Sequence, residues 1–156
     1  MQLMEKTDNM EAADDGLLVT GFTVADASFG IDARLVLEVV KVGEVTPVHG
    51  APSGVSGVRN LRGRIVTVVD MAAHLGLGSI ELDPETRLLI MDWQGESFGF
   101  LVDAVTDAIA LNAERIGTPP DGIAPELRSR LTGVWRKNDT LTAIIDAEAL
   151  FQWSEE

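Results

Sequence analysis

The feature that most constrains this chain is an internal repeat. The stretch Gly57–Asp70 has the pattern of a strand, a polar turn and a β-branched strand, and the pattern returns at Gly133–Asp146, 76 positions later and without a gap. In both copies an aspartate follows the second strand and precedes helix-forming residues, which is where a helix N-cap belongs. Two copies do not make a solenoid array. The repeat therefore predicts two packed sheets or small β-barrels.

A second echo precedes each copy. The triplet Ser28-Phe29-Gly30 matches Ser97-Phe98-Gly99 at a spacing of 69, and at that spacing Glu38 falls opposite Asp107. Many short strands, and no segment long enough for a crossover helix, predict an all-β chain with a few short helices. We place the boundary between two barrel subdomains in the polar connector near 79–86, and exchange of strands between them remains open.

Charge and composition limit the possible partners. Residues 1–16 hold five acidic side chains and little apolar patterning, which predicts a disordered acidic tail before a single domain over 17–156. The formal net charge is −13, which repels nucleic acid and anionic lipid. No apolar run reaches the roughly 18 residues of a membrane span, so direct membrane insertion is not expected. The lack of a signal peptide and of cysteine predicts a cytoplasmic protein.

The sequence offers no convincing catalytic group. His49 lies in a Gly/Pro loop and His74 follows Asp70 on a short predicted helix, and neither has a second histidine at metal-ligand spacing. Asp70 and Asp146 could form a carboxylate pair across the halves, but their repeat positions favour duplicated N-caps. The glycines of 54–57 lack the following Lys-Ser/Thr pair of a phosphate loop. We therefore predict a protein that is not an enzyme and needs no metal or cofactor.

The predicted hairpin turn at 60–63 is the best candidate for recognition. Gly63 can take the positive φ of a tight turn. Leu61 would offer apolar area to a partner, and Arg62 a planar set of donors. A structural alternative is that Arg62 pairs with Glu38 to hold the hairpin, and the two roles can coexist.

Trp135 is a further candidate for an interface. Most of the three tryptophans are expected to pack in the core, but an exposed tryptophan anchors protein interfaces well. Trp135 is the one that we single out, because its counterpart in the first half of the repeat is the polar Arg59.

At these positions the chain resembles the CheW-type family of chemotaxis coupling proteins. The resemblance runs from about Val19 to Phe151, and Asn-Leu-Arg-Gly followed by a β-run and Val-Asp is specific in that order. The matching residues are Phe29-Gly30-Ile31-Asp32, Val36, Glu38, Pro47, Gly50-Ala51-Pro52, Gly57 to Arg64, Val68-Val69-Asp70, Phe98-Gly99, Val102 to Val105, Leu131 to Val134 and Ile144-Ile145-Asp146.

The resemblance implies a fold of two intertwined five-stranded SH3-like barrels and a non-catalytic adaptor. Members of the family link the cytoplasmic tips of chemoreceptors to a CheA-type histidine kinase, whose regulatory domain has the same fold. Receptor binding in the family uses the groove between the barrels. Carried onto this sequence, and with Trp135 added, the expected partner-binding residues are Val36, Glu38, Gly57, Asn60, Leu61, Arg62, Gly63 and Trp135.

Two alternatives stay open. The same scaffold serves parallel chemosensory-like systems for surface motility or development, which sequence alone does not separate from chemotaxis proper. A small ligand-binding barrel module is the alternative from a different class, and it would need a pocket with convergent polar groups. The start at Met1 and the end at Glu156 lead us to expect a free-standing protein rather than part of a larger kinase.

Overall fold

The computed structural model of the chain describes residues 16–137 and 139–153. Within them the predicted all-β fold with short helices is confirmed. The strands are β1 (Gly16–Val24), β2 (Ala27–Asp32), β3 (Glu38–Lys41), β4 (Val55–Leu61), β5 (Arg64–Asp70), β6 (Arg87–Trp93), β7 (Glu96–Val102), β8 (Ala104–Asn112), β9 (Leu131–Lys137) and β10 (Thr140–Ile145). The helices are α1 (Met71–His74), α2 (Pro125–Arg128) and α3 (Ala147–Leu150), with 3₁₀ turns at Ala33–Leu35 and Ala113–Arg115.

Two sequence predictions fall on residues outside the described ranges. Residues 1–15 of the predicted acidic tail are among them, while Gly16 already opens β1. The predicted turn between β9 and β10 includes Asn138, which is also outside. The strands of both repeated hairpins are described, and β4–β5 and β9–β10 each form an antiparallel pair, as the repeat predicts.

The ten strands form two five-stranded sheets, each curled as an SH3-like barrel. Barrel A has the strand order β8-β1-β2-β10-β9, and barrel B has the order β3-β6-β7-β5-β4. Strands β1–β5 of the first half are equivalent to β6–β10 of the second half, and exchanging each strand for its equivalent converts one order into the other. The internal repeat of the sequence is therefore a structural repeat.

Each barrel takes strands from both halves of the sequence. Barrel A joins β1 and β2 to β8–β10, and barrel B joins β3–β5 to β6 and β7. The connector 79–86, where the repeat placed a boundary, thus links two strands of the same barrel, and the chain changes barrel after β2 and after β7. The reason is the central parallel pairs, β5–β7 and β2–β10. Parallel neighbours cannot be joined by a tight turn, so each must come from a distant part of the chain.

Among the described residues, three apolar clusters hold the barrels together, and the largest lies between them. This inter-barrel core includes Phe22, Phe29, Val69, Phe100 and Leu150. Barrel B is filled by Leu61, Val66, Val68, Leu88, Ile90 and Leu101. Barrel A is filled by Val19, Leu111 and Ile144. Since the largest cluster draws on both barrels, neither barrel is expected to fold without the other.

Candidate partner-binding surface

The β4–β5 hairpin ends in a two-residue turn formed by Arg62 and Gly63. Their φ angles are 53° and 89°, and two positive values at these positions define a type I′ turn. The N–H of Gly63 donates to Oδ1 of Asn60 at 2.8 Å, which fixes the turn from the preceding strand. The sequence predicted a positive φ for Gly63 alone. Arg62 adopts one as well because a type I′ turn needs it at both central positions.

An ion pair joins this turn to the opposite edge of barrel B. Glu38 opens β3 at one end of the strand order, and the turn follows β4 at the other end. Nη2 of Arg62 donates to Oε2 of Glu38, so the predicted pairing is present, and it spans the seam where the sheet closes on itself. The Arg62 side chain is 65% exposed and that of Glu38 is 36% exposed, which leaves both accessible to a partner protein.

Leu61 does not offer the apolar surface that the sequence predicted. It is buried in the cluster that fills barrel B. Side chains alternate across a strand, so Asn60 lies outside the barrel and Leu61 inside it. The side chain of Leu61 therefore anchors the hairpin that presents Arg62.

Gly57 is also buried, at a β-bulge in β4. A Cβ at this position would lie 2.1 Å from the carbonyl oxygen of Thr46, so the absent side chain is what lets the Thr46–Val58 bridge form. The repeat counterpart Gly133 has the same constraint, with its Cβ position 2.4 Å from the oxygen of Gly117. Gly57 thus supports the candidate surface from beneath.

Val36 lies where the chain passes from barrel A to barrel B. It follows the 3₁₀ turn after β2 and packs, half-buried, against the inter-barrel core. Two neighbours that the sequence analysis did not single out flank Glu38: Leu37 is 53% exposed and Val39 is 41% exposed. The sequence did not reveal them because this short strand has apolar residues on both faces. Alternation alone does not show which face the rest of the fold covers.

Trp135 and its counterpart Arg59 occupy different surroundings. Trp135 packs against the barrel A cluster, so the structure does not bring it together with the turn of barrel B. The guanidinium of Arg59 covers Gly43, where a Cβ would lie 2.5 Å from Nε. Nη1 of Arg59 is buried and has no hydrogen-bond partner within the described residues. No sequence pattern predicted that a second arginine, Arg59, lies beneath the loop that precedes β4.

The two aspartates considered for catalysis cap helices, as the repeat predicts. The carboxylate of Asp70 accepts from the N–H of Ala73 at 3.1 Å and from that of Ile80 at 2.9 Å. The carboxylate of Asp146 accepts from the first turn of α3. One carboxylate oxygen of each aspartate therefore caps the helix that follows it.

His74 joins the two repeated helices. Its Nε2 lies 2.6 Å from the carbonyl oxygen of Leu150, and because a carbonyl only accepts, Nε2 carries the proton. Burial lowers the pKa of His74 from 6.5 to about 4, so the ring is neutral at pH 7. Over the described residues, no group of three or more His, Cys, Asp or Glu side chains could hold a metal ion. None of the described helices is long and apolar enough to cross a membrane.

Comparison with known proteins decides the family. The CheW-like domain matches residues 18–155, which is nearly the whole chain. The chain belongs to the CheW-like family. Its relatives include the chemotaxis protein CheW of Klebsiella aerogenes, which is 30% identical over 134 residues that cover 86% of this chain and 81% of that protein.

One solved structure and one further relative extend the comparison. The crystal structure of the scaffolding protein TtCheW from Thermoanaerobacter tengcongensis superposes with a TM-score of 0.77 at 28% identity, covering 87% of this chain and 88% of that one. Protein FrzA of Myxococcus xanthus is 32% identical over 101 residues, covering 65% of this chain and 63% of that protein. The relatives named CheW place the chain among chemotaxis scaffold and adaptor proteins.

On this CheW-like fold the expected site residues separate by position. Those at the exposed end of barrel B are Glu38, Asn60, Arg62 and Gly63. Those beneath it are Gly57 and Leu61. Val36 lies at the junction of the barrels and Trp135 on barrel A. We use the name Arg62 surface for the first group.

Proposed function

We propose that this chain is a non-catalytic cytoplasmic adaptor that couples the cytoplasmic domains of chemoreceptors to a CheA-type histidine kinase through its regulatory domain. The observation that carries the proposal is the match to the CheW-like domain over residues 18–155. The relatives in this family include chemotaxis proteins and a scaffolding protein, and we expect this chain likewise to act by holding two proteins together.

The placement of the expected site residues supports a role with more than one partner. The Arg62 surface lies on barrel B, whereas Trp135 lies on barrel A. Surfaces on different barrels can be occupied at the same time. We assign the Arg62 surface, with Val36 beside it and with Gly57 and Leu61 as its support, to receptor or kinase docking, and Trp135 to a separate contact.

The charge of the chain supports proteins as partners. A net charge of −13 opposes binding to nucleic acid and to anionic lipid. Within this acidic surface Arg62 presents a guanidinium that is mostly exposed. Its planar donors fit a carboxylate of a partner protein, which would replace Glu38 as the acceptor.

Binding measurements on two matched variants test the proposal. Arg62→Ala is compared with Arg64→Ala, which removes a neighbouring arginine of the same hairpin with its own ion pair to Asp92 at 2.9 Å. We expect Arg62→Ala to weaken binding to a receptor cytoplasmic fragment or to the kinase regulatory domain by about tenfold or more, and Arg64→Ala to leave both unchanged. If the wild-type chain binds neither protein in calorimetry, the adaptor function is wrong. If it binds and Arg62→Ala binds equally well, only the assigned surface is wrong.

A second candidate is the same scaffold in a parallel sensory system for surface motility or development. The match to protein FrzA supports this second candidate, because that relative is not named as a chemotaxis protein. Deletion of the gene separates the two: loss of swimming chemotaxis with normal surface spreading supports the first function, and the reverse supports the second.

A further inference from the structure

A second surface, which shares no residue with the Arg62 surface, is an open groove at the edge of the inter-barrel core. Its volume is about 620 Å³. Two aromatic side chains form its floor, since Trp93 stacks on Phe151 with ring centroids 4.5 Å apart and planes within 5°. Phe98 and Trp153 continue the wall, with centroids 5.6 Å apart. The loop 48–52 forms the other side. We call this the aromatic groove.

The internal repeat places an equivalent of this groove in the other half of the molecule, and we call that equivalent the occupied version because its residues are covered. At the repeat spacings of 69 and 76, the counterparts of Trp93, Phe98 and Phe151 are Val24, Phe29 and Leu75. The counterparts are all at most 1% exposed, whereas the three groove residues are only half-buried. Equivalent positions on equivalent strands are therefore covered in one half of the molecule and open in the other.

Helix α2 covers the occupied version. Leu127, in the middle of this single helical turn, packs against the inter-barrel core to which Val24, Phe29 and Leu75 belong. The neighbouring Glu126 lies directly over Gly76, where a Cβ would come within 2.6 Å of its Oε1. A leucine on a short helical turn therefore packs against the core to which the three counterpart residues belong.

The first half lacks this turn, and Ala51 stands at the position of Leu127. The side chain of alanine ends at Cβ, which leaves the space above the aromatic rings unfilled. Matching backbone hydrogen bonds just after this position fix the alignment at 76 residues. They run from the N–H of Asp70 to the oxygen of Gly54 at 2.8 Å, and from the N–H of Asp146 to the oxygen of Arg130 at 2.9 Å.

The charge around the aromatic groove indicates which residues of a partner should flank a leucine that binds there. Glu96 lines the groove, and no lysine or arginine is among its described lining residues. In the occupied version, Leu127 is followed by Arg128 and Arg130. An apolar side chain flanked by basic residues therefore suits the open groove better than an acidic or wholly polar segment.

We propose that the aromatic groove binds a helical turn of a partner protein that inserts a leucine side chain beside basic residues. The groove is apolar enough to bury the leucine, and α2 shows the geometry in which a turn of helix does so. The proposal uses only the groove and the repeat, so it stands or falls independently of the receptor and the kinase.

A peptide titration followed by nuclear magnetic resonance tests it. The probe is a synthetic peptide with the α2 sequence, residues 121–132, in which Glu126 is replaced by lysine. The indole N–H signals of the protein report the site, because Trp93 and Trp153 line the groove and Trp135 lies in barrel A. We expect saturable shifts of the Trp93 and Trp153 signals and an unmoved Trp135 signal.

Two protein variants and one peptide variant make the result decisive. Ala51→Leu fills the groove from within and should weaken peptide binding by at least about tenfold. Glu96→Lys, at an exposed position that leaves the fold intact, should weaken it severalfold. A peptide in which Leu127 is replaced by alanine should not bind. No saturable shift in the wild type, equal shifts of all three indoles, or unchanged binding by Ala51→Leu and Glu96→Lys would each overturn the proposal.

Discussion

Arg62 and Glu38 are exposed residues, and their exposure separates a role in recognition from a role in stability. Ion pairs open to water contribute little to folding because solvent screens them and because two long side chains must be ordered. A buried pair behaves differently, since removal of one partner leaves an uncompensated charge. With 65% and 36% of the two side chains exposed, this pair belongs to the first class.

A double-mutant cycle measures this directly. We expect Arg62→Ala and Glu38→Ala to show a coupling of about 0.2–1 kcal/mol in the free energy of unfolding, measured by urea denaturation. The Arg64–Asp92 pair, with side chains 50% and 49% exposed, is the control and should give a similar value. A loss of about 3–5 kcal/mol on removing either partner alone would show that the pair exists for stability.

His74 predicts a pH dependence of stability. Its pKa is lowered to about 4 in the folded chain by burial and is near 6.5 when unfolded, so between these values the unfolded chain binds the proton and the folded chain does not. Stability should therefore be complete above about pH 6.5 and fall as the pH decreases towards 4, by up to about 3 kcal/mol.

The pH dependence is measured as the free energy of unfolding at several pH values. His74→Gln should flatten the curve between pH 4 and 6.5, while His49→Gln, a change in an exposed loop, serves as the control and should not. A wild-type curve that is level over this range would contradict the account of His74.

Among the elements, the two capped helices allow a comparison within one molecule. Asp70 is 8% exposed and its carboxylate also accepts from the N–H of Ile80, whereas Asp146 is half-buried and serves only the first turn of α3. We expect Asp146→Ala to cost about 1 kcal/mol. Asp70→Ala should cost about 1 kcal/mol more, because the half-buried N–H of Ile80 also loses its acceptor. Thermal unfolding of both variants checks the order, and equal losses would contradict it.

The elements that could be predicted from the sequence are those with local signals. An aspartate before helix-forming residues predicted the caps at Asp70 and Asp146, and a polar turn with a glycine before a β-branched run predicted the β4–β5 hairpin. The conformation of Arg62 was not predictable from residue type, since a positive φ is uncommon for arginine and is imposed here by the turn. Leu61 was misplaced for a similar reason: its neighbours in sequence did not reveal which side of β4 lies inside the barrel.

At the scale of the whole molecule, the repeat predicted two alike units but not how they share strands. Pairing within a hairpin is local and leaves a pattern in the sequence. The parallel pairs β5–β7 and β2–β10 join distant segments, and no local pattern records them. Sequence halves and barrels consequently differ, and the connector 79–86 lies inside barrel B.

Strand sharing predicts the behaviour of a divided chain. We expect residues 1–82 and 83–156, expressed separately, to be largely unfolded, because each barrel then lacks strands and the inter-barrel core is divided. Mixed, they should associate and recover the β-rich circular dichroism spectrum of the intact chain. Cooperative unfolding of either piece alone would contradict the exchanged topology.

The central claim, that this CheW-like chain bridges a receptor and a kinase, is tested most directly by cosedimentation. Receptor cytoplasmic domains are attached to vesicles, and the CheA-type kinase is added with and without the chain. We predict that the kinase sediments with the vesicles only when the chain is present, and that recovery falls with Arg62→Ala but not with Arg64→Ala. Kinase recovery that is the same with and without the chain would contradict the bridging function.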